Sequence, residues 1–278
     1  MMSQDSMKKK IQEVITEMMD KIMNRVLYED PFLKDDFKAK KPLYAALVPS
    51  EIFKGSHFER RFVTPFGKAW EKLAVVAATE GLGYGTLDYK IHGTIKSGRL
   101  RRITEILNRL EHREANQTRK VKPDWDTELS YILKGKGDDV PVTVICDIYA
   151  EDKTKGKSYA FEIKAPLPNS DQTKVSKEKI LKLYCMEPKK IDDAFYALPY
   201  NPYGKKEDYN WSFPARWFNM KKDKVVLIGD EFWGKIGGTG TYQSFINAVN
   251  EVGLKYKERI YREYLGIEPP LENKETHL

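Results

Sequence analysis

A change of hydrophobic period near residue 128 limits most strongly what this chain can fold into. The segments "VPVTVICDIYAED" and "KSYAFEIKAP" are rich in β-branched and aromatic residues, and the turn-like stretches "KGKGDD" and "KTKGK" bound them. Such runs are typical of strands joined by turns. With "ELSYILKG" as a preceding strand, residues 128–166 are predicted to form a β-meander.

Helical patterns lie on both sides of this meander. Residues 8–27 repeat apolar positions at three and four residues, as an amphipathic helix does. A second helix is predicted to begin near Gly67 and to end among the glycines at 81–85. Further helices are predicted over 97–120, 174–186 and 241–265, and "KVVLIG" reads as a short buried strand. Strands enclosed by helices predict an α/β fold with a mixed central sheet and an N-terminal helical region.

Composition favours an intracellular protein with an anionic partner. The chain has 278 residues and a formal charge of +7, which leans weakly toward nucleic acid. Its two cysteines have apolar neighbours, as free thiols of a reducing cytoplasm do. No apolar run is long enough for a bilayer, so no membrane partner is expected. The four histidines lack metal-ligand spacing, and the glycine-rich stretches lack a nucleotide-binding fingerprint.

A constellation of charged residues interrupts the apolar strands. Glu162 and Lys164 share one face of their strand, and Asp147 lies inside the preceding strand. On neighbouring strands the two carboxylates would repel each other unless a cation lay between them. Lys164 could neutralise them as a structural ion pair. Alternatively, the carboxylates bind Mg²⁺, which prefers oxygen ligands, and the lysine assists a water in phosphodiester hydrolysis.

The order of several motifs resembles known nucleases. Asp147 followed by Glu162, Ile163 and Lys164 resembles the PD-(D/E)xK signature. The stretches "EIKAPLPNSDQTK", "HFERRFVTPFGKAWEKLA" and "IGDEFWGKIGGTGTYQSFINAV" are similar to type II restriction endonucleases, most closely the TdeIII-type family. The resemblance covers roughly residues 55–250 and implies a restriction-endonuclease-like core.

That resemblance implies roles for individual residues. Mg²⁺, with Mn²⁺ able to substitute, would be bound by Asp147, Glu162 and the carbonyl of Ile163, while Lys164 assists the water. Glu71 matches a carboxylate that supports the metal site in many of these enzymes. Gln172 matches a glutamine that places water or metal in some relatives, although a helix-cap or surface role fits it equally.

Two aspartates are candidates for the first metal ligand. Cys146, and not proline, precedes Asp147, whereas a literal Pro-Asp occurs at Pro123 and Asp124. Asp147 is preferred because it lies inside an apolar strand directly before the Glu-x-Lys strand. Asp124 is expected in a polar turn.

Two regions are candidates for contact with DNA. The irregular stretch at residues 200–224, called here the aromatic segment, is a candidate for base recognition, although a loop packed by its own aromatic rings fits as well. The helix after the prolines, with Ser170 or Asp171 as its cap, could approach the phosphate backbone. The basic side chains concerned are Arg216, Lys205 and Lys206 in the segment and Lys174 and Lys177 on the helix.

The function expected from these observations is that of a type II restriction endonuclease. It would cut double-stranded DNA at a short palindrome, of the GGNCC type in the resembled family, as a homodimer in a prokaryotic cytoplasm with a companion methyltransferase. A single domain over 1–278 is expected, with a helical region at 1–55 and the catalytic and recognition elements at 56–265. Two alternatives stay open: a structure-selective repair or junction-resolving nuclease, and a non-catalytic basic binding protein.

Overall fold

The computed structural model describes residues 4–112 and 121–270, and these group into two compact units. Among the described residues, the first unit draws on 4–73 and 243–270, and the second on 74–242. The expectation of a single domain stays a prediction. No helix in the described ranges is long and apolar enough to cross a membrane.

Helices build the first unit, as the N-terminal pattern predicts. Methionine and isoleucine side chains of the first helix are buried, including Ile11, Ile22 and Met23. Short π-helical turns continue the first and last helices at Arg25–Glu29 and Ile260–Leu265. The helices are α1 (Gln4–Asn24), α2 (Lys34–Lys40), α3 (Pro42–Leu47), α4 (Ser50–Leu82), which runs on into the second unit, and α9 (Thr241–Arg259).

Helix α4 is longer than its sequence predicts. It begins at Ser50, and both Pro65 and Gly67 lie inside it, so the predicted start near Gly67 is wrong. Aromatic side chains four residues apart continue past the proline, with ring centroids 5.0 Å apart for Phe62 and Phe66. This packing along one helix face offsets the hydrogen bond that proline removes.

A five-stranded mixed sheet forms the second unit and confirms the predicted fold class. The strands are β1 (Gly83–Lys96), β2 (Asp139–Asp152), β3 (Lys157–Ile163), β4 (Asp193–Leu198) and β5 (Val226–Ile228). They lie in chain order; β1, β2 and β3 are antiparallel, while β3, β4 and β5 are parallel. The strand that carries Glu162, β3, is therefore interior, with a partner on each side.

Helices flank this sheet, and two predicted elements are corrected. Most of "ELSYILKG" lies in helix α6 (Trp125–Leu133) and not in a strand, because Asp124 caps a helical turn by accepting from the Thr127 N–H at 2.9 Å. Strand β1 occupies the stretch where glycines predicted a break, and β4 had no prediction. Of the helix predicted over 97–120, residues 113–120 lie outside the described residues. The helices are α5 (Ser97–Glu111), α6 (Trp125–Leu133), α7 (Ser170–Cys185) and α8 (Asp230–Gly237).

The sheet is covered on both faces. On one face, helices α5, α6 and α7 bury a core that includes Leu107, Cys146 and Tyr196. On the other, Phe161 of β3 packs against Phe195 of β4 and Phe232 of α8, with ring centroids 5.4 and 5.9 Å apart. Any charge at the end of β3 is therefore surrounded largely by protein.

Candidate active site

The two predicted carboxylates lie together at the end of the β2–β3 hairpin. The ladder ends at the pair Ile148 and Phe161, and one further step of this register places Asp147 opposite Glu162. Asp147 reaches across to the neighbouring strand, where its Oδ2 accepts from the N–H of Ile163 at 2.8 Å. That hydrogen bond fixes the carboxylate of β2 beside the Glu-x-Lys strand.

Strand β2 is irregular where Asp147 occurs. The pairing of β1 with β2 omits one position on each strand, Asp88 and Asp147, and Asp88 has a φ of +48°. A positive φ is uncommon outside glycine, and local irregularities of this kind re-aim side chains beside functional sites. The neighbouring Cys146 stays in the core, and burial raises the pKa of its thiol to about 12, so it remains neutral.

Three oxygen atoms converge on the ammonium group of Lys164. Its Nζ lies 2.8 Å from Asp147 Oδ2, 2.9 Å from the carbonyl oxygen of Ile163 and 3.6 Å from Glu162 Oε2. The backbone N–H of Lys164 donates to Ala197 of β4 at 3.0 Å, which holds the residue at the sheet. The ammonium of Lys164 thus lies among three oxygen atoms, two from carboxylates and one from a backbone carbonyl.

Glu162 is almost fully buried and has a second cationic partner that the sequence did not predict. Nζ of Lys179, on α7, lies 2.8 and 3.1 Å from the two carboxylate oxygens, and Ser176 donates from 3.4 Å. Burial raises the pKa of Glu162, as does the nearby charge of Asp147, while Lys164 and Lys179 oppose the rise. No local sequence pattern identifies Lys179, because its ammonium reaches Glu162 only through the packing of α7 on the sheet.

The donor atoms suit a hard divalent cation. Asp147, Glu162 and the Ile163 carbonyl offer oxygen only, which is the ligand type that Mg²⁺ prefers. Within the described ranges, no group of three or more His, Cys, Asp or Glu side chains is arranged to hold a metal. Such a site would therefore draw its remaining ligands from water and substrate phosphate, as Mg²⁺ sites commonly do.

Asp124, the other candidate for the first metal ligand, is a helix cap. It caps helix α6, and its hydrogen bonds with Thr127 lower its pKa. Asp147, in contrast, contacts both the backbone of β3 and Lys164. The choice of Asp147 over Asp124 as the first metal ligand stays a prediction.

Two other predicted residues lie on helices. Glu71 is on α4 in the first unit, and its supporting role stays a prediction. Gln172 lies in the first turn of α7, with an exposed side chain, and its role is likewise a prediction. Asn169, and not Ser170 or Asp171, caps α7 by accepting from the Gln172 N–H at 2.8 Å.

The aromatic segment packs on the loop that follows β3. The hydroxyl of Tyr209 donates to the carbonyl of Pro166 at 2.8 Å, and Trp211 Nε1 donates to the carbonyl of Pro168 at 2.9 Å. Trp217 Nε1 donates to Ser170 Oγ at 3.0 Å. The segment therefore supports the loop between Lys164 and α7 in addition to packing on itself.

The predicted contact of Lys177 with DNA is wrong. Its side chain has no exposed surface, and its ammonium donates to the carboxylate of Glu128 and to the carbonyl of Trp217. The rings of Trp125 and Phe218 lie 5.9 and 5.1 Å from Nζ. An enclosed ammonium cannot reach a phosphate, so Lys177 has a structural role that joins α6, α7 and the aromatic segment.

The other basic residues remain candidates for DNA contact. Lys174 pairs with Glu111 and lies 5.7 Å above the ring of Trp217. Lys206 pairs with Glu231 at 2.7 Å, which reduces its availability. Lys205 is exposed and Arg216 is half-buried, and all four contacts stay predictions.

Together, a mixed sheet with Asp147 on one strand and Glu162 and Lys164 at the end of the next defines a restriction-endonuclease-like protein. The family model for the type II restriction endonuclease HinfI matches residues 7–253, and the chain belongs to this family. It is thus an enzyme of the site-specific deoxyribonuclease class. The TdeIII-type subfamily is not confirmed.

Individual relatives agree with the family assignment. The type II restriction enzyme HgiCII of Herpetosiphon aurantiacus is 28% identical over 228 residues, which cover 81% of this chain and 82% of the relative. HgiBI and HgiEI of the same organism are 26% and 27% identical over 235 residues, which cover 81% of this chain and 81% of each relative. The similarity thus extends over most of both sequences.

Proposed function

We propose that this protein uses Mg²⁺ to hydrolyse phosphodiester bonds in double-stranded DNA at a short palindromic sequence, with Mn²⁺ able to substitute. The observation that carries the proposal is the convergence of Asp147, Glu162 and the Ile163 carbonyl on the ammonium of Lys164. Membership of a restriction endonuclease family supplies the substrate class.

The metal ligands in this proposal are the carboxylates of Asp147 and Glu162 and the carbonyl oxygen of Ile163. When bound there, Mg²⁺ would polarise the phosphoryl group and acidify a coordinated water. The protein contributes fixed ligand positions. The N–H of Ile163 holds Asp147, and the hydroxyl of Ser176 donates to Glu162.

Lys164 acts on the attacking water. Its ammonium lies within hydrogen-bonding distance of the Asp147 carboxylate and the Ile163 carbonyl, so the side chain lies beside two of the proposed metal ligands. There the ammonium orients the water and offsets negative charge on the phosphate, and the neutral amine, after losing its proton to solvent, would accept a proton from the water. Glu71 and Gln172 are proposed to support the site and to place the water.

The aromatic segment and α7 are proposed to contact DNA. Lys174 and Lys205 would bind backbone phosphates, which gives affinity without sequence information. Lys206 would join them after its bond to Glu231 opens. Arg216 is the proposed base-reading residue because arginine forms bidentate bonds to guanine. This suits a GC-rich interrupted palindrome such as GGNCC.

A homodimer is proposed because cutting both strands of a palindrome requires two equivalent sites. In the first unit, α2 and α3 contain no buried residue among those the structure describes, and Leu43 and Leu47 are 76% and 81% exposed. These two leucines lie four residues apart, on one side of their helix. A self-complementary contact with a second copy would bury them, so we assign this face to the partner subunit. A companion methyltransferase in a prokaryotic cytoplasm completes the proposed system.

Plasmid DNA tests the proposal. Incubation with Mg²⁺ should give discrete fragments with one end sequence, and EDTA should prevent cutting. Cleavage restricted to branched or single-stranded DNA would instead indicate a structure-selective nuclease. Binding without any cleavage would indicate a non-catalytic protein in which Asp147, Glu162 and Lys164 form a structural ion-pair network.

A further inference from the structure

The candidate site contains as many lysines as carboxylates. Lys164 pairs with Asp147 at 2.8 Å, and Lys179 pairs with Glu162 at 2.8 Å and approaches Asp147 at 3.9 Å. Two ammonium groups therefore balance two carboxylates in this structure. A divalent cation entering this group would meet two positive charges close to its ligands.

Lys179 differs from the other lysines of α7. Lys177 is enclosed, and Lys182 pairs with Glu178 four residues away on the same helix. Lys179 contacts a proposed metal ligand, yet 29% of its side chain is exposed. A lysine side chain is long and flexible, so this ammonium can leave the Glu162 carboxylate and contact an anionic group on the solvent side.

We propose that in the DNA-free enzyme the ammonium of Lys179 pairs with the Glu162 carboxylate and competes with the metal for it. When DNA binds, this ammonium moves to a backbone phosphate. This inference rests on the proposed function and adds a coupling between metal and DNA. A ligand that removes the ammonium from Glu162 frees that carboxylate for the metal. By thermodynamic reciprocity, metal and DNA each strengthen the binding of the other.

The coupling predicts opposite effects of one substitution. Without Lys179, Glu162 loses its nearest cation, so a divalent metal should bind the DNA-free protein more tightly. DNA, however, loses one phosphate contact. Its binding should weaken, with a salt dependence shallower by about 0.9 in logarithmic slope, as for one phosphate neutralised. A lysine that only supports the fold would give neither pattern.

The test compares wild type with Lys179→Met, with Lys182→Met as the matched surface control. Mn²⁺ binding to the DNA-free protein is followed by electron paramagnetic resonance of the free ion. Duplex DNA binding is measured in EDTA across a salt series. We expect Lys179→Met to bind Mn²⁺ about tenfold more tightly, within the usual range of coupling between sites, and to show the shallower salt slope. Lys182→Met should match wild type in the metal titration.

Two outcomes overturn the inference: a Mn²⁺ affinity of Lys179→Met that is unchanged or weaker, or an unchanged salt slope. Lys179→Gln, which keeps a hydrogen-bond donor for Glu162, replaces the methionine variant if circular dichroism shows that the latter does not fold. If wild type binds no Mn²⁺ and cuts no DNA, the proposed function itself fails. If wild type cuts DNA and Lys179→Met lacks the two changes, only the coupling fails.

Discussion

Replacing Lys177 by methionine should destabilise the second unit strongly. The substitution leaves the buried carboxylate of Glu128 without its cation and the carbonyl of Trp217 without its donor. Removal of one partner of a buried ion pair costs about 3–5 kcal/mol. For a unit of this size, that loss lowers Tm by roughly 6–20 °C. Methionine fits the space between Trp125 and Phe218, so packing contributes little to the loss.

The loss should depend on pH. Burial raises the pKa of Glu128, and removal of Lys177 should raise it further, because the cation favours the charged carboxylate. A carboxyl whose pKa is raised by folding loses stability as pH rises above its unfolded value. The free energy of unfolding of Lys177→Met should therefore recover as pH falls from 7 toward 5.

Urea unfolding followed by circular dichroism measures these effects. Lys182→Met is the control, because its partner Glu178 is on the surface, and it should cost no more than about 1 kcal/mol. The double variant Lys177→Met with Glu128→Leu should regain at least half of the loss, since no buried charge remains. A loss for Lys177→Met equal to that of the control, or a double variant less stable than the single one, would refute the reasoning.

Two further predictions concern the metal ligand and the subunit contact. Asp147→Ala should fold and not cleave DNA, whereas Asp124→Ala should cleave DNA and lose about 1 kcal/mol of stability, because it removes a helix cap. Cleavage assays and urea unfolding separate the two variants. Cleavage by Asp147→Ala would exclude Asp147 as the metal ligand. Replacing both Leu43 and Leu47 by glutamate should convert a dimer into a monomer in light scattering after size exclusion, and a persistent dimer would place the contact elsewhere.

The sequence predicts the strands that carry the site better than the elements around them. Alternating β-branched and aromatic residues identify β2 and β3, and the spacing of Glu162 and Lys164 places both on one face. "ELSYILKG" fits a strand or a helix equally as a short apolar run, and its cap at Asp124 decides for the helix. The glycines of β1 resemble a helix stop, so the pattern does not predict a strand there.

Ion pairs that form only through tertiary packing are the hardest contacts to predict from the sequence. A lysine-rich helix suggests a solvated or DNA-facing surface, yet packing of α7 on the sheet encloses Lys177 and directs Lys179 to Glu162. Neither partner is near in sequence, so local patterns carry no sign of the pairing. A buried glutamate does require a counter-charge, and this rule predicts that such a partner exists without naming it.

The most direct test of the central claim is plasmid cleavage by Lys164→Ala and Glu162→Ala with Mg²⁺, alongside duplex DNA binding in EDTA and circular dichroism. We expect both variants to fold and to bind DNA while cleavage is lost, because each removes a group that acts on the water or the metal. Unaltered cutting by either variant would contradict the assignment of the site. Loss of folding in both would show that the cluster is structural.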